Sequence, residues 1–221
     1  MRVVFSYSVR FRGPRAPEVT NQKSGELDMS KRLKLSDILV TVVIAVVFGI
    51  VYRIWGPVYD LVKFVGLQAE QLTYGMWFIA ATVAFLIIRK PGVALLAEVA
   101  AATAEMVIGS SYGLESLTYG ILQGLGAELA FAAFAYRSYS LFAACLAGLG
   151  SGLGSIAMDW YKGYLADLQD WNLTLYIVFR LISSIGISGI AAYYLVKALE
   201  ATGVTRSVRP VTPEDRRSLT D

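Results

Sequence analysis

Residues 91–135, PGVALLAEVAAATAEMVIGSSYGLESLTYGILQGLGAELAFAAFA, decide how the rest of the chain is read. They form two apolar runs separated by a Gly/Ser/Tyr turn at 109–113, and they carry Glu98, Glu105, Gln123 and Glu128. A carboxyl group at the centre of a membrane helix costs roughly 2.5 to 3.5 kcal/mol on insertion scales, so acids in such runs are candidates for function. Glu98 and Glu105 are seven residues apart, which on an α-helix brings both to one face, beside Ala101 and Ala102. Gln123 and Glu128 are five apart, about 140° round the next helix, so only one of them looks squarely into a shared cavity. The other is expected to serve a helix interface.

Outward from this stretch the chain keeps the same character. Of its 221 residues 56% are hydrophobic and the mean hydropathy is +0.54, beyond what a soluble domain with a polar exterior tolerates. The reading is an all-α polytopic membrane protein with six spans, at residues 38–54, 73–88, 92–108, 117–135, 141–158 and 173–199. Its domains are a flexible basic tail over 1–34, a six-helix membrane domain over 35–199 and a polar tail over 200–221. Within the first tail, Met29 opens a segment that reads as a start of its own, so residues 1–28 are expected to be dispensable.

Charge placement orients the spans. The N-terminal tail carries eight Lys or Arg, the Arg89-Lys90 turn two, the Arg137 turn one and the C-terminal part five, which is sixteen of the 20 in the chain. By the positive-inside rule both termini of this multi-pass protein are cytoplasmic. Trp77, Tyr74, Tyr112, Trp160 and Trp171 then fall near the outer interface.

Several chemistries are excluded by what the chain lacks. There is no His, so imidazole ligation of a metal and a Ser-His-Asp triad are both out, and the single Cys145 builds neither a disulfide nor a thiolate cluster. No Gly-x-x-x-x-Gly-Lys-Ser/Thr occurs, so the chain does not hydrolyse a nucleotide by itself. The basic tails lack interleaved aromatics and give no nucleic-acid signal. No cofactor and no metal is expected, and the chain is not expected to be an enzyme.

Arg180 enters the last span by about two turns and needs an acid, with Glu105, Glu98 and Asp159 as the options. Thr41, Ala45 and Gly49 make a small-residue ridge on the first span, and Gly148, Gly150, Gly152 and Gly154 make two overlapping Gly-xxx-Gly pairs on the fifth.

Residues Ile87-Ile88-Arg89-Lys90-Pro91-Gly92, Glu98 to Glu105 around Ala100-Ala101-Ala102, and Gln123-Gly124-Leu125-Gly126-Ala127-Glu128-Leu129-Ala130-Phe131-Ala132 resemble the YkoE-type family. Its members are membrane S components of energy-coupling factor (ECF) transporters, associated with thiamin or its hydroxymethylpyrimidine (HMP) precursor. The resemblance implies a six-helix substrate-binding subunit with an outward site lidded by the loop after the first helix. It also implies partnership with a transmembrane coupling subunit and two cytoplasmic ATPases. In such proteins a small-residue stripe on the first helix meets the coupling subunit, and Thr41, Ala45 and Gly49 match it.

The candidate ligand residues fit that cargo chemically. An aminopyrimidine pairs with a carboxylate or carboxamide, groups that Glu105 and Gln123 hold at one depth. Trp77, Tyr74 and Tyr112 are stacking candidates, and Glu70 is placed to face a thiazolium cation. Glu98, Glu128 and Arg180 complete the expected ligand set. Two alternatives stand beside thiamin: HMP as cargo, and a proton-coupled carrier using Glu98, Glu105 and Glu128 as a relay.

Overall fold

The computed structural model describes residues 33–207, and these are helical with no strand among them. The helices are α1 (Leu35–Lys63), α2 (Ile79–Ile88), α3 (Val93–Ile108), α4 (Leu114–Ala133), α5 (Leu141–Tyr161), α6 (Asp170–Ser183) and α7 (Ala192–Ala201). A 3-10 helix, Ala69–Phe78, runs straight into α2, and a π-helical stretch, Ser184–Ala191, joins α6 to α7. Six continuous helical rods result. Four are long and apolar enough to cross a membrane: Leu35–Lys63, Ala69–Ile88, Leu141–Tyr161 and Asp170–Ala201. The other two are α3, only 16 residues long, and α4, whose hydropathy is lowered by Glu115, Gln123 and Glu128. The expected tail over 1–34 and the proposed start at Met29 lie almost wholly outside the described residues, as do residues 208–221.

All ten residues of α2 are buried, as expected of a helix that is apolar all round. It is the axis of the bundle, and Phe85 on it stacks on Phe131 of α4 with ring centroids 3.8 Å apart. Around it α1 packs on α3, α3 on α4, and α4 on α5, which in turn meets the π-helical stretch. The two glycine pairs of α5 divide this work. A Cβ at Gly150 or Gly154 would collide with the backbone of Gly126 or Leu122 on α4, and one at Gly148 or Gly152 would collide with Ser184.

Three expectations change. The connection after the first span does not begin at Trp55: α1 continues through Gly56 and Pro57 to Lys63. Proline inside a helix costs about 3 kcal/mol in water through its missing N–H and its ring. Here the extension is held from outside, by the Trp55 indole N–H on the Thr73 carbonyl at 2.9 Å and by Tyr59, whose hydroxyl accepts from Gln71 at 3.0 Å. In place of a long lid loop there is a tight link over residues 64–68, with Gly66, Leu67 and Gln68 all at positive φ.

The ridge of Thr41, Ala45 and Gly49 does not face outward. Thr41 and Ala45 are buried, and a Cβ on Gly49 would stand 2.5 Å from that of Ala104 and 2.9 Å from the Ala101 carbonyl oxygen. The small residues let α3 approach, so this stripe is a contact within the chain. The face of α1 that remains exposed carries Leu39, Val43, Val46, Val47, Ile50 and Ile54 instead.

A candidate ligand-binding cavity

A cavity of about 410 Å³ opens at the end of the bundle where α1 and α3 stop and α4 begins. That size is in the range of small-molecule sites. Its aromatic wall comes from α1 and the 3-10 segment. Tyr59 meets Trp77 edge-on at 5.2 Å between centroids and Tyr74 edge-on at 6.0 Å, and Tyr112, in the turn after α3, meets Trp77 edge-on at 6.3 Å. Tyr52, two turns before Tyr59 on the same face of α1, lines the cavity as well.

The opposite wall is α3 and α4, with Glu105, Ala102, Ser116, Tyr119 and Gln123. Glu105 Oε1 accepts from the Trp77 indole N–H at 3.2 Å and from the Ser110 hydroxyl at 3.3 Å. Its second oxygen has no hydrogen bond to any described residue. Neither does the carboxamide of Gln123, although that residue is 2% exposed. These atoms are not sealed off, since the buried side-chain atom without a partner among the described residues is Glu98 Oε1; they reach the cavity and are available to a guest.

Arg180 forms the third wall and has four of its five N–H donors engaged. Its Nε donates to Gln71 Oε1 at 2.8 Å, one terminal nitrogen donates to Ser155 at 2.8 Å and Asp159 at 3.0 Å, and the other donates to the Tyr176 hydroxyl at 2.5 Å. The guanidinium also lies 3.3 Å over the ring of Tyr74. Asp159 is the acid that the sequence left among three options, and it accepts as well from Tyr119 at 2.5 Å and from Tyr176. A charged pair removed from water needs this density of partners to persist. At the rim, Lys162 donates to Glu115 at 2.8 Å and holds that carboxyl below the usual carboxylate range.

Of the expected ligand residues, the structure brings Glu105, Gln123, Trp77, Tyr74, Tyr112 and Arg180 to this cavity and places three elsewhere. Glu128 reaches the far end of α3, where its carboxylate accepts from the backbone N–H groups of Gly92 at 2.6 Å, Ala94 at 3.1 Å and Leu95 at 3.2 Å. Glu98 is fully buried behind Tyr52, and Glu70 turns from the cavity to accept from its neighbour Gln71 at 3.2 Å. Tyr52, Tyr59, Gln71, Tyr119, Asp159 and Tyr176 line the cavity without having been among the candidates. A signal for the first two exists: Tyr52 and Tyr59 share the seven-residue spacing that singled out Glu98 and Glu105, on the buried stripe that begins at Thr41 and Ala45.

A helical bundle with a half-polar, aromatic-lined cavity at one end, built on helices apolar enough to span a membrane, has the make-up of a membrane transport subunit. Comparison with solved structures narrows the class. A crystal structure of an S component of an ECF transporter matches with a TM-score of 0.76, at 35% identity, over 80% of this chain and 90% of that one. Residues 36–154 match the family described as "ABC-type cobalt transport system, permease component". A curated relative from Bacillus subtilis (strain 168), YkoE, named as an HMP/thiamine permease, is 37% identical over 177 residues, 79% of this chain and 88% of the relative. The chain belongs to the YkoE-type family of ECF S components: a bacterial membrane protein and a transport subunit, not an enzyme.

Proposed function

We propose that the chain captures thiamin from the extracellular side and passes it to the cytoplasm through a transmembrane coupling subunit driven by two ATPases. On this reading all six rods, over residues 35–199, span the plasma membrane, with both tails cytoplasmic. The cavity then opens outward, opposite the Arg89-Lys90 turn. The observation that carries the proposal is the pair of free polar groups, the second oxygen of Glu105 and the carboxamide of Gln123, facing an aromatic wall across one cavity. An aminopyrimidine has an amine and ring nitrogens for such groups and a flat face for Trp77 or Tyr59. The thiazolium cation suits the same aromatic faces.

Cavity volume supports the two-ring cargo over HMP alone. Cobalt, the metal in the matching family's description, is not favoured as cargo: the chain has no His, and among the described residues no three Cys, Asp or Glu converge.

Calorimetric titration of the purified protein tests the proposal. Glu105→Ala and Gln123→Ala are each expected to weaken thiamin binding at least about tenfold, a loss of 1.4 kcal/mol or more, while the protein stays folded. Unchanged affinity in both variants defeats it, and competition between thiamin and HMP ranks the two cargoes.

A further inference from the structure

The segment Ala69–Phe78 holds 3-10 geometry for ten residues. Such helices seldom run past about four residues, because their hydrogen bonds are poorly directed. Wound as an α-helix the same stretch would be about 5 Å shorter, given rises of 2.0 and 1.5 Å per residue. Contacts from outside must therefore hold the long form.

Part of that hold comes from α6 and the π-helical stretch: Arg180 on Gln71, the Ser183 hydroxyl accepting from the Gly75 N–H at 2.8 Å, and the Ser188 hydroxyl donating to the Phe78 carbonyl at 3.1 Å. The rest is applied at the junction with α2. At that junction the Ile79 N–H still donates to the Met76 carbonyl, while Phe78, at the N-cap, offers no side-chain acceptor to the N–H groups that follow. Instead the Ala80 N–H donates to the Tyr52 hydroxyl at 3.0 Å and the Ala81 N–H to Glu98 Oε2 at 3.1 Å, while the Tyr52 hydroxyl donates to that same oxygen at 3.1 Å. Two residues from α1 and α3 together cap a third helix. The cap is costly to the carboxyl group, since Glu98 Oε1 is buried with no hydrogen-bond partner. Space for it is cut from α4 at Gly124, where a Cβ would stand 3.1 Å from that of Glu98.

We infer that Glu98, acting with Tyr52, is a positioning residue of the cavity. It fixes the point where 3-10 geometry gives way to α, and so fixes the wall that carries Gln71, Tyr74 and Trp77. Trp77 lies three residues before the first capped N–H. Without the cap the junction shifts, and the indole turns off its bond to Glu105. Glu98 itself does not line the cavity, so its effect reaches the guest only through that wall. The inference rests on the cavity being a ligand site, but it is read first on Trp77.

The test uses the full chain in lipid nanodiscs, labelled with 5-fluorotryptophan, with the Trp77 resonance assigned by Trp77→Phe. Glu98→Ala is expected to displace the Trp77 fluorine resonance while those of the exposed Trp160 and Trp171 stay in place, and to weaken thiamin binding about tenfold. Glu98→Gln, which keeps an oxygen for the Ala81 N–H, is expected to restore both. Tyr52→Phe removes one oxygen and no carbon, is expected to displace the same resonance, and decides the matter should Glu98→Ala fail to fold. A Trp77 resonance unmoved in Glu98→Ala and Tyr52→Phe overturns the inference; so does an equal displacement of all four tryptophans, or a failure of Glu98→Gln to rescue. Wild-type protein that binds no thiamin defeats the cargo reading alone, and the Trp77 resonance still judges the role of Glu98.

Discussion

The two ends of the α3–α4 pair hold the same kinds of side chain and use them differently. At one end Glu128 is consumed by the backbone of α3, and midway Glu98 is consumed by the start of α2. At the other end Glu105 keeps an oxygen free and Gln123 keeps its whole carboxamide free. The difference follows from where helices begin. A helix N-terminus presents unpaired N–H groups and the positive end of its dipole, so a nearby buried carboxylate finds its partners there. At the level of Glu105, α3 is ending and α4 begins nearby, but the Glu115 and Ser116 N–H groups that open α4 bond the carbonyls of Tyr112 and Gly113 and none reaches the acid, which has the Trp77 and Ser110 side chains and stays open to a guest. A buried acid in a helical membrane protein therefore becomes a strong ligand candidate only once no helix N-terminus is found to claim it. The same placement weakens a proton relay through Glu98, Glu105 and Glu128, because two of the three are fastened to backbone at separate junctions.

The largest way to stress this comparison is Arg180→Met. Removing one partner of a buried ion pair typically costs about 3–5 kcal/mol, and here Asp159 would be left in place with two tyrosines. The thermal unfolding midpoint in detergent should fall by far more than for any other variant considered, marking that wall as structural. Next comes Glu128→Ala, which strips three N–H groups of their acceptor and should cost about 2 kcal/mol, as the loss of a strong helix cap does. Its thiamin affinity, measured on the folded fraction, should stay within about threefold of wild type, since nothing on the cavity wall has been touched. A fall as large as that of Glu105→Ala would break the distinction between the two ends.

Much of this division was legible before any coordinates. Spacing alone put Glu98 and Glu105 on one buried face with Ala101 and Ala102, and separated Gln123 from Glu128 so that one of the two had to serve an interface. What spacing did not contain was the identity of the partner across each interface. The Thr41, Ala45 and Gly49 ridge reads as a close-approach surface, yet only the fold says that α3, and not another subunit, approaches it. The Gly56-Pro57 pair reads as the end of a helix, and α1 runs on through it because Trp55 and Tyr59 are tied to residues 73 and 71. The capping roles of Glu98 and Glu128 were invisible for the same reason. They depend on N–H groups 17 residues away for one and 33 to 36 away for the other, a relation set by packing and not by period.

The smallest effect is expected at the rim, and it separates the two cargoes. Glu115 there accepts from Lys162 and, at 3.2 Å, from Tyr164, with both ionic side chains partly exposed. Exposed pairs add little to stability because water and salt screen them, so Lys162→Met should leave the unfolding midpoint unchanged. It does remove a positive charge from the mouth and leave Glu115 with its own. A cation approaching that mouth is then drawn in more strongly, and stopped-flow association of thiamin should quicken about two- to threefold at low ionic strength, with the gain lost in concentrated salt. HMP carries no thiazolium charge and should associate at the same rate with both proteins. An equal response of the two compounds would mean that the rim does not sense the cation, and the preference for thiamin would then rest on cavity size alone.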